Sequence, residues 1–182
     1  MPESHVYAHP FPRWYRWTQR FNVLLLGVMA LAMVLQVVLA VLTRGGIFWL
    51  TAVMMGLLAL PILMALSVSP TVRLEAEGIR ILPYLWREQL IRWEDIREIK
   101  PYTLLPTPNH EVERRALQGR KRYVAAQGIM LIVPSLGWQY RVAGYFAGEG
   151  GKPIIALTNR THARYDDLLK RVQTSYAKSA VA

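Results

Sequence analysis

Cysteine is absent from the 182 residues. That excludes disulfides, thiolate-bound zinc and iron–sulfur clusters, and leaves the redox compartment open. Acidic residues are scarce too, 12 against 22 Lys and Arg, for a formal net charge of +10. Charge is missing altogether from two long stretches, Phe21 to Leu42 (FNVLLLGVMALAMVLQVVLAVL) and Ile47 to Val68 (IFWLTAVMMGLLALPILMALSV), each 22 residues. At ~1.5 Å per residue such a run extends about 33 Å as a helix, enough for a ~30 Å hydrocarbon core. Thr43-Arg44-Gly45-Gly46 between them is polar and short, which makes the helices antiparallel. The pattern predicts a transmembrane helical hairpin over 21–68, after a short arm over 1–20 and before one soluble domain over 69–182.

The first run is longer than the apolar region of a signal peptide, and a second span follows after four residues. It reads as a retained anchor. Arg13, Arg16 and Arg20 precede the hairpin and Arg73, Arg80 and Arg87 follow it, whereas the turn holds Arg44 alone. Basic residues collect on the cytoplasmic side, so both termini are expected in the cytoplasm of a cell whose inner membrane holds the spans. Pro2, Pro10 and Pro12 predict an extended or disordered start to the arm. FPRWYRWTQR then interleaves Trp14, Tyr15 and Trp17 with Arg13, Arg16 and Arg20. Rings settle at headgroup depth while guanidinium reaches phosphate, so this is a membrane-interface belt with the bilayer as partner. The same alternation suits stacking on single-stranded nucleic acid, but its place beside a span assigns it to anchoring.

Within the runs, Gln36 is the strongly polar side chain, expected to make one hydrogen bond across the hairpin. Pro61 frees the Leu57 carbonyl and predicts a kink. Ala52, Gly56 and Ala59 share a face that lets the helices approach. Two helices without an ionisable side chain make no channel or transporter by themselves.

After Ser69-Pro70 the apolar period shortens to two. Thr71 to Ala76 and Ile79 to Leu82 read as strands around a Glu77-Gly78 turn, followed by Leu85 to Trp93 and Ile96 to Tyr102. Leu104 to Arg122 reads as a loop, and Ile129 to Val133, apolar on both faces, as a buried strand. Tyr140 to Phe146 and Pro153 to Thr158 are expected to form a hairpin around the glycine-rich AGEGGK turn. Thr161 is placed to cap a last helix, whose Tyr165, Leu168, Leu169, Val172 and Tyr176 recur at helical spacing. About seven strands and one C-terminal helix make an α+β domain, a small barrel or sandwich closed by that helix.

The two-helix hairpin, then VRLEAEGIRI, IRWEDIREIK, IMLIVP and a final helix ending DDLLKRV, resembles the bacterial pleckstrin-homology-like membrane proteins over roughly Phe21 to Val172. The resemblance implies a bent antiparallel sheet of seven strands capped by one helix. It implies a binding platform and no shared enzymatic activity. In eukaryotic relatives that bind phosphoinositides, basic residues occupy the first hairpin turn; here Glu75-Ala76-Glu77-Gly78 is acidic.

No residue pattern points to catalysis, a cofactor or a metal. His5, His9 and His110 fall in the arm and a proline-rich loop, and His162 and Asp166 lack a third ligand. Ser67, Ser69 and Ser135 lack a nucleophile-elbow context. Gly148, Gly150, Gly151 and Lys152 lack the strand-to-helix setting and Gly-Lys-Ser/Thr ending of a phosphate loop. The densest basic patch, Arg114, Arg115, Arg120, Lys121 and Arg122, is a candidate surface for a partner or an anionic lipid. Trp138, after Ser135-Leu136-Gly137, is the tryptophan expected to be exposed and joins that candidate surface, with Trp86 and Trp93 packed. The expectation is therefore a non-catalytic, membrane-anchored β-domain for protein contacts, an accessory or assembly subunit. An anionic-lipid sensor is the alternative and a membrane-bound enzyme the third reading.

Overall fold

Proline has no amide proton to lose in the first turn of a helix. Pro12 stands there, and α1 (Pro12–Thr43) runs unbroken from it into the apolar run. The belt residues therefore occupy the first turns of the helix that carries the first apolar run. Arg44 ends α1 in the left-handed conformation at φ 51°, and α2 (Gly46–Ser67) returns. The computed structural model describes residues 5–106 and 125–179.

Both helices are long and apolar enough to cross a membrane, and only 6% of each apolar window is buried in the fold. A core helix of a soluble protein would be mostly covered. Gln36 Oε1 accepts the Thr51 hydroxyl at 2.8 Å, the expected bond across the hairpin. Ala40 and Ala52 are buried. Gly56 is not what permits the approach, because an added methyl there would lie an ordinary 3.9 Å from Met33 Sδ. α1 has 32 residues and α2 has 22, so at ~1.5 Å each α1 overhangs α2 by about 15 Å.

Three residues after α2 the sheet begins. The described strands are β1 (His5–Tyr7), β2 (Thr71–Leu74), β3 (Gly78–Leu82), β4 (Gln89–Arg92), β5 (Glu98–Pro101), β6 (Gly128–Ile132) and β7 (Ile154–Thr158). They form two antiparallel sheets, β1-β2-β3-β4 and β5-β6-β7, not closed into a barrel. A 3-10 turn at Trp93–Asp95 separates β4 from β5, its Trp93 indole N–H donating to the Ala76 carbonyl at 3.1 Å.

The expected strand over Tyr140 to Phe146 is a helix, α3 (Trp138–Phe146). Its aromatic and branched residues favour a strand locally, but Ala143 and Ala147 present a small face four residues apart that seats on the second sheet. Gly144 packs so closely on the Lys152 backbone that a side chain there would collide with its carbonyl. AGEGGK accordingly joins a helix to β7, with Gly148, Gly150 and Gly151 all at positive φ. The final helix, α4 (Tyr165–Ser179), starts four residues beyond Thr161, whose hydroxyl lies 2.8 Å from that of Thr158 and caps nothing.

Two cores result. Tyr7, Val72, Ile79, Ile81 and Ile91 of the first sheet face Leu131, Ile155 and Leu157 of the second, with Leu168 and Val172 of α4 closing the layer. Leu169 and Tyr176 pack at its margin, as their spacing predicts. On the opposite face of the second sheet, Met130, Ile132, Ile154 and Ala156 meet Ala143 of α3 with Ala147 directly after it, and Met64 of α2 with Val68 directly after it. That double covering explains why Ile129 to Val133 is apolar on both sides.

Candidate membrane-interface and partner surfaces

The overhang of α1 divides the belt between two environments. Arg13, Arg16 and Arg20 recur at three- and four-residue spacing and, with Trp17, line a shallow pocket of about 260 Å³. Trp14 and Trp17 are exposed and meet edge to face at 5.9 Å, and Trp17 stacks on Phe21 at 6.1 Å. Tyr15 turns inward, stacked on His9 at 4.9 Å, and Gln19 is buried below it. Burial pushes the His9 pKa down. The first turn of α1 has no acid to offset its arginines and the positive end of the helix dipole, so this end favours an anionic neighbour. The spacing Tyr15–Gln19 was the available sign that one stripe of the belt belongs to protein.

A second surface was not foreseen, because it forms between the arm and the last helix. His5, Glu75, Trp93, Asp167, Lys170 and Thr174 line a cleft of about 420 Å³. The buried Tyr7 donates to Asp167 Oδ2 at 2.6 Å, and Arg171 Nε donates to Asp167 Oδ1 at 2.9 Å. These bonds hold the Asp167 carboxyl below its usual range, the one from Tyr7 contributing most. Burial and the same bond push the Tyr7 hydroxyl up to about 12. At the other wall Arg80 Nη2 donates to Glu75 Oε2 at 3.0 Å, holding that carboxyl low too. Fixed acids beside Lys170 suit a polar peptide surface of mixed charge.

Other sequence candidates resolve into structural roles. His162 is buried; its Nδ1 accepts the Thr158 amide at 3.3 Å and its Nε2 donates to the Pro70 carbonyl at 3.0 Å. Both ring nitrogens are thereby used, and Asp166 is exposed. Among the described residues no three metal-binding side chains come together. Glu149 takes Lys100 Nζ at 3.1 Å and Lys152 Nζ at 3.6 Å, so the glycine turn brings its own acid to its lysine. Ser67 is buried and donates to the Leu63 carbonyl at 2.9 Å. Trp93 is core, while Trp138 is exposed and contacts the half-buried Trp86 edge to face at 6.4 Å. Arg114, Arg115, Arg120, Lys121 and Arg122 lie outside the described residues. No family model, curated protein or solved structure matches the chain.

Proposed function

We propose that the protein is a non-catalytic, membrane-anchored platform with both termini in the cytoplasm. It holds a pleckstrin-homology-like β-domain at fixed height over the bilayer for contact with a protein partner, as an accessory or assembly subunit of a membrane complex. One observation carries this reading: the chain before the hairpin and the chain after it are strands of one sheet. Tyr7 pairs with Val72 across β1 and β2, with the whole of α1 and α2 between them. The Ala163 amide donates to the Ala8 carbonyl at 2.9 Å, and the Ala156 amide to the Val68 carbonyl at 2.7 Å. Such pairing supports an even number of crossings, and the arginine asymmetry supports the cytoplasmic side.

A domain pinned at both ends is suited to presenting one surface in one orientation, where a tethered enzyme would work as well on a loose linker. Among the described residues, six antiparallel strands after the hairpin and a docked C-terminal helix support the pleckstrin-like assignment, with β1 from the arm and α3 as departures from it. The mixed-charge cleft between β1 and α4 is the surface assigned to the partner. A photoreactive residue at Thr174, in the full-length protein in its native membranes, is expected to give a discrete protein adduct that Lys170→Glu abolishes. Adducts with lipid alone, or none at all from the cleft, contradict this function.

A further inference from the structure

α3 has a sheet-facing side and an outward side of opposite character. Gln139, Tyr140, Ala143 and Gly144 are buried. Trp138 is 62% exposed, Tyr145 73% and Phe146 38%, with the exposed Arg141 among them. No acid occurs in the helix, and Arg141 is its only charge.

Its buried side fixes where the helix stands. Ala143 and Ala147 share a buried cluster with Met64 and Val68, where α2 leaves the apolar run. α3 therefore rests against the end of α2, at the mouth of the hairpin where the Arg13, Arg16 and Arg20 end of α1 also lies. Trp and Tyr flanking a cation are the side chains that gain most at a headgroup boundary, where a ring is half-solvated and guanidinium meets phosphate. Basic charge on both α1 and α3, with no acid on α3, complements an anionic leaflet.

We infer that α3 is an interfacial membrane helix, its Trp138, Arg141, Tyr145 and Phe146 face seated in the phospholipid headgroup layer beside the spans. This rests on the reading of α1 and α2 as membrane-spanning, and it adds a third contact that sets the tilt of the domain. A loosely spaced domain would leave this aromatic face in water; one lying down on the bilayer covers it.

The absence of cysteine makes the test clean, since a single introduced thiol is the only one present. Tyr145→Cys and Arg141→Cys, each carrying a nitroxide, are placed in the full chain in vesicles of phosphatidylethanolamine and phosphatidylglycerol. Relaxation by oxygen and by a water-soluble nickel chelate reports depth, with Leu31→Cys in mid-span and Lys170→Cys on α4 as references. The expected result is both α3 labels at phosphate depth, between a buried Leu31 and an aqueous Lys170. Nickel access at α3 equal to that at Lys170, with Leu31 still deep, overturns this inference and leaves the hairpin standing. α3 labels shielded from both reagents mean that protein covers the face, which also overturns it. An aqueous Leu31 overturns the spanning reading itself and the inference with it.

Discussion

At the scale of single residues, His162 couples the hairpin to the domain through a group that titrates. It hydrogen-bonds Pro70, in the short link between α2 and β2, from the turn between β7 and α4. Burial lowers its pKa to about 4, so the folded protein holds the ring neutral. The unfolded chain, with an ordinary histidine near 6.5, takes up the proton first. Stability that is fully present above 6.5 is therefore lost as pH falls toward 4, on the order of 3 kcal/mol from this residue. Denaturation midpoints of the full chain in nanodiscs at pH 7 and pH 4.5 measure the loss, and His162→Gln is expected to flatten it. An unchanged slope in that variant would show that other groups carry the acid sensitivity. Leu168 and Lys170 make a second comparison on one helix. Leu168 is fully buried and Lys170 exposed. Leu168→Ala should cost about 2–5 kcal/mol, while Lys170→Ala stays within about 0.5. Equal melting of the two variants would mean that α4 is not docked.

At the scale of elements, the sequence was most legible where one physical signal acted alone. Twenty-two residues without charge announce a long apolar helix, and the Leu168, Leu169, Val172 and Tyr176 spacing announces a helix with one apolar face. The Glu77-Gly78 turn was equally plain: β2 and β3 close around reciprocal Glu75–Gly78 backbone bonds. Two elements escaped. α3 was hidden because Trp, Tyr, Val and Phe favour strands locally, and only the second sheet makes the small face of Ala143 and Ala147 decisive. β1 was hidden because it is three residues long, lies near prolines, and finds its partner across the whole hairpin. Its consequence is testable. Tyr7 is fully buried beneath α4, with Arg164 5.5 Å over its ring, whereas Val6 next to it is exposed. Tyr7→Ala should lower stability by about 3–5 kcal/mol, as for other buried aromatics, and Val6→Ala by less than about 1. A Tyr7→Ala midpoint equal to that of the parent would remove the arm from the sheet.

At the scale of the molecule, the aromatic and basic composition of FPRWYRWTQR was legible, but which of its side chains the fold covers was not. Which of the rings in FPRWYRWTQR stays exposed depends on α1 overhanging α2 by about 15 Å and lying against the domain. The same overhang lets β1 reach β2, which makes the hairpin a loop inserted into one sheet. That is the central claim, and thiol accessibility tests it directly in a chain without cysteine. His5→Cys, Arg44→Cys and Lys178→Cys are each exposed, one at a time, to a membrane-impermeant maleimide in intact cells. The account predicts labelling of Arg44→Cys from outside, and of His5→Cys and Lys178→Cys only after permeabilisation. Labelling of His5→Cys and Lys178→Cys from opposite sides, or of all three from one side, would contradict it.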